Sequence, residues 1–184
     1  MRDLITLLET GKKLKLKPLQ FSRNSLSPIL SKSNLDTHYG KLAKGYVDRY
    51  NKGEGDKSFN EAGAFLHNIF FGQFRAPRNS NPPIGPIKDL IDKKFGSFVD
   101  FKKDFKEECL KTQGSSWVYL DRNGTFKTIK NHAKRPSICI LIDMWEHSWM
   151  TDYGSNKGKY VDSIWRIINW EHINKRLGGG VQDE

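Results

Sequence analysis

Ser137-Ile138-Cys139-Ile140-Leu141-Ile142 runs directly into Asp143-Met144-Trp145-Glu146-His147, and the two runs read together decide the architecture. The first is short, continuously apolar and rich in β-branched residues, with Pro136 punctuating its start, so it reads as a buried strand. The second sets a carboxylate and an imidazole four positions apart at that strand's end. Such a donor pair suits iron, manganese or zinc better than calcium or copper(I). A second reading stands beside the first: a buried aspartate paired with a histidine to order a core loop.

Upstream, Trp117-Val118-Tyr119-Leu120, the turn residues Asn123-Gly124 and the run from Phe126 to Ile129 predict a hairpin with a tight turn. With the strand at 137–142 it makes a small three-stranded antiparallel sheet. Ser31 is a suitable N-cap, and Leu35, His38, Tyr39, Leu42 and Tyr46 recur at helical spacing up to about Tyr50, which puts His38 and Tyr46 on one buried face. A second helix is predicted from about Phe59 to Phe74, a proline-containing loop from Ala76 to Pro86, and further helices over 86–95 and 98–112. Helices at about 157–168 and 170–176 close the chain. The fold class is therefore α+β: a long-helix hairpin subdomain over 18–85, then an α/β subdomain over 86–177. A short helix and Lys-rich arm (1–17) precede them as a tether, and a Gly-rich tail (178–184) follows.

The 184 residues suffice for one domain or two small subdomains sharing a core. The net charge of +10 points to an acidic partner, an anionic substrate or a solvated surface. No Lys/Arg cluster interleaves with stacking aromatics in a nucleic-acid motif, so sequence-specific DNA reading is not indicated, and RNA or DNA contact within a larger assembly is the alternative left open. Cys109 and Cys139 form no metal-type spacing and are expected as reduced, buried thiols. No apolar stretch is long enough to span a bilayer, and the start carries neither a secretory core nor an Arg-rich, acid-poor transit sequence.

Taken in order, several motifs resemble the iron/manganese superoxide dismutase family from about Pro18 to Leu177. Asp143 to His147 fits its DxWEH signature, Gly114-Ser115-Ser116-Trp117 its GSxW, Thr37 to Lys41 its HYGK, and Leu66 to Phe71 its NHxxFW. Tyr153, Tyr160, Trp165, Asn169 and Trp170 continue the pattern. The resemblance implies an iron or manganese site, superoxide as substrate and a homodimer. It carries His67, Asp143 and His147 over as ligands and assigns the fourth ligand position to Ile29, in Pro28-Ile29-Leu30-Ser31, which offers no lone pair. His38 is read as a buried imidazole satisfied within the first helix pair.

Other positions follow from the same resemblance. Tyr46 is the channel tyrosine, and Leu42 stands where the family has a channel histidine. Trp117 and Trp145 wall the pocket. Glu146 is the residue that bonds a ligand histidine of the other subunit, Met150 replaces an interface tyrosine, and Lys157 replaces an arginine at the channel mouth, keeping charge but losing the bidentate fork. Gly63 and His132 occupy the two positions at which the family places a solvent-bonding glutamine. His132 is read either as a group addressing bound solvent or as an exposed loop residue beside Lys130 and Lys134. With one ligand missing, the expectation is a site holding iron or manganese weakly or not at all. The chain is then a dismutase-like component of a larger assembly such as a virion, of the kind bacteriophages encode, in the virion or host cytoplasm. An active enzyme with an altered ligand set is the alternative.

Overall fold

The computed structural model describes residues 13–181; the predicted helix at 2–10 lies outside them. The chain enters as an extended arm, and two asparagines, Asn51 exposed and Asn68 buried, hold it as a strand partner would. Asn51 Oδ1 and Nδ2 bond Leu14 N and O, both at 2.9 Å. Asn68 accepts from Lys17 N at 2.8 Å and donates to Lys15 O at 3.0 Å. Leu14 and Leu16 thereby turn inward, while Lys13 and Lys15 face water.

The helical hairpin follows. Helix α1 (Lys32–Thr37) starts where the Ser31 side chain accepts from Asn34 N, then passes without a break into a π-helical turn (His38–Ala43) and on into α2 (Lys44–Lys52). Gly53, at φ 72°, ends it in the left-handed region that glycine adopts without steric penalty. Helix α3 (Lys57–Gly72) is capped by the Asp56 carboxylate and packs antiparallel against α2. It is buried along most of its length, from Ala62 to Phe71. Helices α4 (Pro86–Phe95) and α5 (Phe98–Lys111) come next, and Phe101, Phe105 and Cys109 put one stripe of α5 into the core. Phe101 and Phe105 each pack on Phe126 and Trp165, so this aromatic cluster ties the helices to the sheet.

The sheet has the order β2-β1-β3, with β1 (Ser116–Asp121), β2 (Phe126–Lys130) and β3 (Ile138–Asp143) all antiparallel. Strands β1 and β3 are buried along their whole length, which is why 137–142 lacks alternation. The outer edge of β3 is occupied by side chains. Gln73 accepts from Leu141 N at 3.1 Å and donates to Leu141 O, and Arg176 donates to Ile138 O at 2.9 Å. The hairpin turn differs from expectation. Only Gly124 takes a positive φ, 76°, and Asn123 does not. Asp121 supplies what the primed turn would have, its Oδ1 accepting from Asn123 N and Thr125 N at 2.9 Å each.

Helix α6 (Glu146–Tyr153), absent from the sequence reading, follows β3 after two residues. Helix α7 (Lys157–Ile164), a 3-10 turn (Trp165–Ile167) and α8 (Trp170–Leu177) complete the chain. Cys109 and Cys139 are free and buried, as expected; burial pushes the Cys109 thiol well up and that of Cys139 up to about 12.

Candidate metal centre

Four elements deliver one side chain each to a single buried point. His38 opens the π turn, His67 sits mid-way along α3, Asp143 is the last residue of β3, and His147 lies in the first turn of α6. Their donor atoms all lie within 4.8 Å of one another. Asp143 Oδ2 is 3.1 Å from His38 Nε2, 3.4 Å from His147 Nε2 and 4.0 Å from His67 Nε2.

The missing fourth donor is therefore His38, and the assignment of that position to Ile29 is corrected. Ile29 is 3 % exposed within the hydrophobic core, and its carbonyl accepts from Tyr153 Oη at 2.7 Å. His38 is not satisfied within its helix pair either: neither ring nitrogen has a hydrogen-bond partner. The sequence shows the spacing but not the turn that resolves it. His38 precedes Tyr46 by eight residues and shares its face, and a straight α-helix would turn about 80° past alignment over that interval. The π turn, a device found mostly at functional sites, takes up the difference.

The remaining atoms of the cluster are tied down so that the donors point inward. His67 Nδ1 donates to Gly63 O at 2.7 Å, which leaves the Nε2 lone pair facing the cluster. Asp143 Oδ1 accepts from Trp145 N at 2.8 Å, which leaves Oδ2. Burial lowers the pKa of His38 and, further, of His67, so both rings are neutral with lone pairs to give. Burial pushes the Asp143 carboxyl up, but His147 and His38 outweigh it and hold the group well below the usual carboxylate range.

His38 Nε2, His67 Nε2, His147 Nε2 and Asp143 Oδ2 are all buried without a hydrogen-bond partner. Each such atom costs about 1–3 kcal/mol. Four in contact would be a severe fault in a core meant only to pack, and they are the four atoms a cation would satisfy. Metal bonds of about 2.0–2.2 Å place donors roughly 3–4 Å apart, matching the 3.1, 3.4 and 4.0 Å separations. Three imidazoles and a carboxylate are a donor set for a first-row transition metal. The residues present fit iron or manganese.

Aromatic rings wall the cluster. Trp117 meets His67 edge-on at 5.0 Å, Trp145 meets His147 at 5.6 Å, and Phe71 meets His38 at 4.8 Å. Tyr46 lies 5.3 Å from His67, its ring packed on Gly63, where an added Cβ would fall 2.7 Å from Tyr46 Cγ. Leu42 is half-buried on the π turn.

The reading of His132 as an exposed loop residue is also corrected. It is 8 % exposed, stacked on Trp145 at 4.6 Å and 16°, and edge-on to Tyr46 at 4.7 Å. Burial lowers its pKa to about 4. Trp117 Nε1 donates to its Nδ1 at 3.2 Å, so the neutral ring carries its proton on Nε2, which is buried and unpartnered. Glu146 and Met150 are exposed on α6, Met150 by 48 %, while Lys157 is half-buried and donates to Thr112 O at 3.2 Å. Among the described residues no helix is long and apolar enough to cross a membrane.

Comparison with known proteins agrees with this geometry. Residues 83–176 match the family described as iron/manganese superoxide dismutases, C-terminal domain. A superoxide dismutase [Fe] of Pyrobaculum aerophilum is 32% identical over 91% of this chain and 93% of its own length. One from Bacteroides fragilis is 31% identical over 86% of this chain and 96% of its own. A superoxide dismutase [Mn/Fe] of Porphyromonas gingivalis is 32% identical with the same coverage, 86% and 96%.

Proposed function

The chain belongs to the iron/manganese superoxide dismutase family, and from that premise we propose that it is a metal-dependent dismutase of superoxide. The observation that carries this reading is the convergence of His38, His67, Asp143 and His147 through four buried atoms that have no other partner. Iron or manganese held there supplies a one-electron couple, through which one superoxide leaves as dioxygen and a second takes up the electron and two protons to leave as hydrogen peroxide.

The chain's own share is to hold the ion, admit a small anion and manage protons. His132 is the proposed group for the last task. Its Nε2–H is a fixed donor inside the pocket, because Trp117 occupies the opposite nitrogen and burial keeps the ring neutral. Tyr46, in contact with both His132 and His67, is the second. Leu42 and Met150 offer no proton, so a relay through those two positions is absent and delivery rests on Tyr46 and His132. The +10 net charge favours approach of an anion.

A second copy of the chain is the proposed partner. Helix α6 turns Glu146 and Met150 to solvent and leaves the His147 side chain 20 % exposed, so a neighbour on this face would cover the most exposed of the four side chains that form the cluster. The readings of an impaired site and of a virion component rested in part on a missing ligand, and His38 removes that part of their ground. The deciding experiment measures metal content and superoxide turnover on the same preparation, loaded with iron or with manganese. Near-stoichiometric metal with turnover that falls in His132→Ala while metal is retained supports the reading; a fully loaded protein without turnover overturns it.

A further inference from the structure

Cationic side chains also gather away from the metal cluster. The loop 75–82 leaving α3 is pinned along the 3-10 turn: Arg75 N donates to Ile167 O at 2.8 Å and Arg78 N to Arg166 O at 3.0 Å. Asn81, 8 % exposed, donates to Trp165 O and Ile168 O at 2.8 Å each. This rigid frame brings Arg75, Arg78 and Arg166 together. None of the three has a carboxylate within 4.0 Å among the described residues. Arg75 Nε is buried without a partner, and burial together with the neighbouring Arg78 charge lowers its pKa against a weaker pull from Glu171.

Beside this cluster lies a cavity of about 230 Å³. Phe98, Trp165 and Pro82 give it apolar, largely aromatic walls, Lys102 and Arg166 give it cations, and Asn79 and Ser80 give it polar groups. Its one carboxylate, Asp162, is paired with Lys106 at 2.5 Å. Lys102 Nζ stands 4.8 Å over the Phe98 ring. The Arg166 side chain is oriented by its bonds to Arg78 O at 3.1 Å and Asn79 Oδ1 at 3.4 Å.

We propose that this cavity binds a nucleotide unit, with the base against the Phe98 wall and the phosphate between Arg166 and Lys102. Of the three arginines Arg166 lines the cavity, and with Lys102 it offers two cations that have no carboxylate within 4.0 Å among the described residues; such a pair calls for an anion, and the planar guanidinium fork is the group best matched to phosphate. A flat aromatic wall adds what a bare phosphate does not use, since stacking is the general means of holding a base. The volume is below that of pockets for drug-sized molecules, about 300–1,000 Å³, which limits the occupant to one unit, free or on a single strand.

The test titrates the full chain, as purified, with AMP, adenosine, inorganic phosphate and a hexa-adenylate, by calorimetry at two salt concentrations. AMP or the hexamer should bind saturably, at least tenfold more tightly than adenosine or phosphate, and more weakly at high salt. Arg166→Gln and Lys102→Gln should each weaken binding fivefold or more. Among the described residues the Lys102 ammonium makes a ring contact and no ion pair, so its variant tests the site without disturbing the loop that Arg166 helps to hold. Equal binding of AMP and the hexamer identifies a free nucleotide, and a tenfold preference for the hexamer a single strand. Absence of saturable binding, unchanged affinity in Lys102→Gln, or phosphate binding as tightly as AMP would each overturn the proposal.

Discussion

His38→Ala and Ile29→His, made in parallel, separate a ligand from a core residue. Structural transition-metal sites of four donors bind with about 10–16 kcal/mol, so one donor is worth about 3 kcal/mol, or roughly 100-fold in affinity. At free metal of about 100 times Kd the folded state gains about 2.7 kcal/mol. His38→Ala should abolish nearly all of that gain, and the metal-dependent rise in Tm should shrink by roughly 5–10 °C for a chain this size. Ile29 is buried among apolar side chains at 3 % exposure. Replacing it with histidine forfeits about 1.5–3 kcal/mol of burial and strands an imidazole at about 1–3 kcal/mol. Ile29→His should therefore lower Tm on the order of 10 °C with no gain in metal. The assay is calorimetric unfolding with and without added iron or manganese, together with metal content by mass spectrometry. Full metal occupancy and an unchanged metal-dependent Tm in His38→Ala, or raised metal affinity in Ile29→His, would refute the assignment.

Gly63→Ala weighs two effects. Helix propensity gains about 1 kcal/mol, but the new Cβ would lie 2.7–3.0 Å from three Tyr46 ring carbons, and overpacking costs about 1–3 kcal/mol. Tm and turnover should both fall, and a rise in Tm would show that the ring yields freely. Burial pushes the Asp121 carboxyl up, but Lys127 and the amides of Thr125 and Asn123 outweigh it, so its pKa is lowered on folding. The stability this brings is present above the unfolded pKa of about 3.9 and drains away as pH falls through the lower folded value. Asp121→Asn should flatten acid unfolding below about pH 4 in denaturant titrations, and an unaltered acid slope would count against it. Asn68→Ala removes both bonds to the arm, about 1–3 kcal/mol of local stability; tryptic cutting after Lys15 should accelerate while the global Tm moves little.

The sheet, the hairpin of long helices and the pair Asp143 and His147 were legible because each rests on local pattern: a continuous apolar run for β3, helical spacing for the hairpin, and a donor pair at a strand's end; His67 was reached as a donor through the family resemblance. His38 was not legible, because its place in the cluster depends on one π turn, and no side-chain periodicity announces a backbone that widens for six residues. His132 was misjudged for a related reason. Lys130 and Lys134 make its surroundings look solvated, yet the positive φ of Asn131, 53°, turns the chain so that the ring enters between Trp145 and Tyr46. Helix α6 escaped notice because its eight residues bury only Ser148 and Trp149, too little for a stripe. The hairpin turn was read from Asn123-Gly124, but the capping carboxylate sits two residues earlier, in the strand.

Strand β3 carries a self-adhesive run: Ile138 to Ile142 is uncharged, apolar, rich in β-branched isoleucine and free of proline, the composition from which stacked cross-β assemblies form. Gln73 and Arg176 on its outer edge therefore act as chaperoning groups in permanent residence, denying a second molecule the row of carbonyls and amides it would need to add a strand. Loss of either should expose that edge to pairing with a second chain.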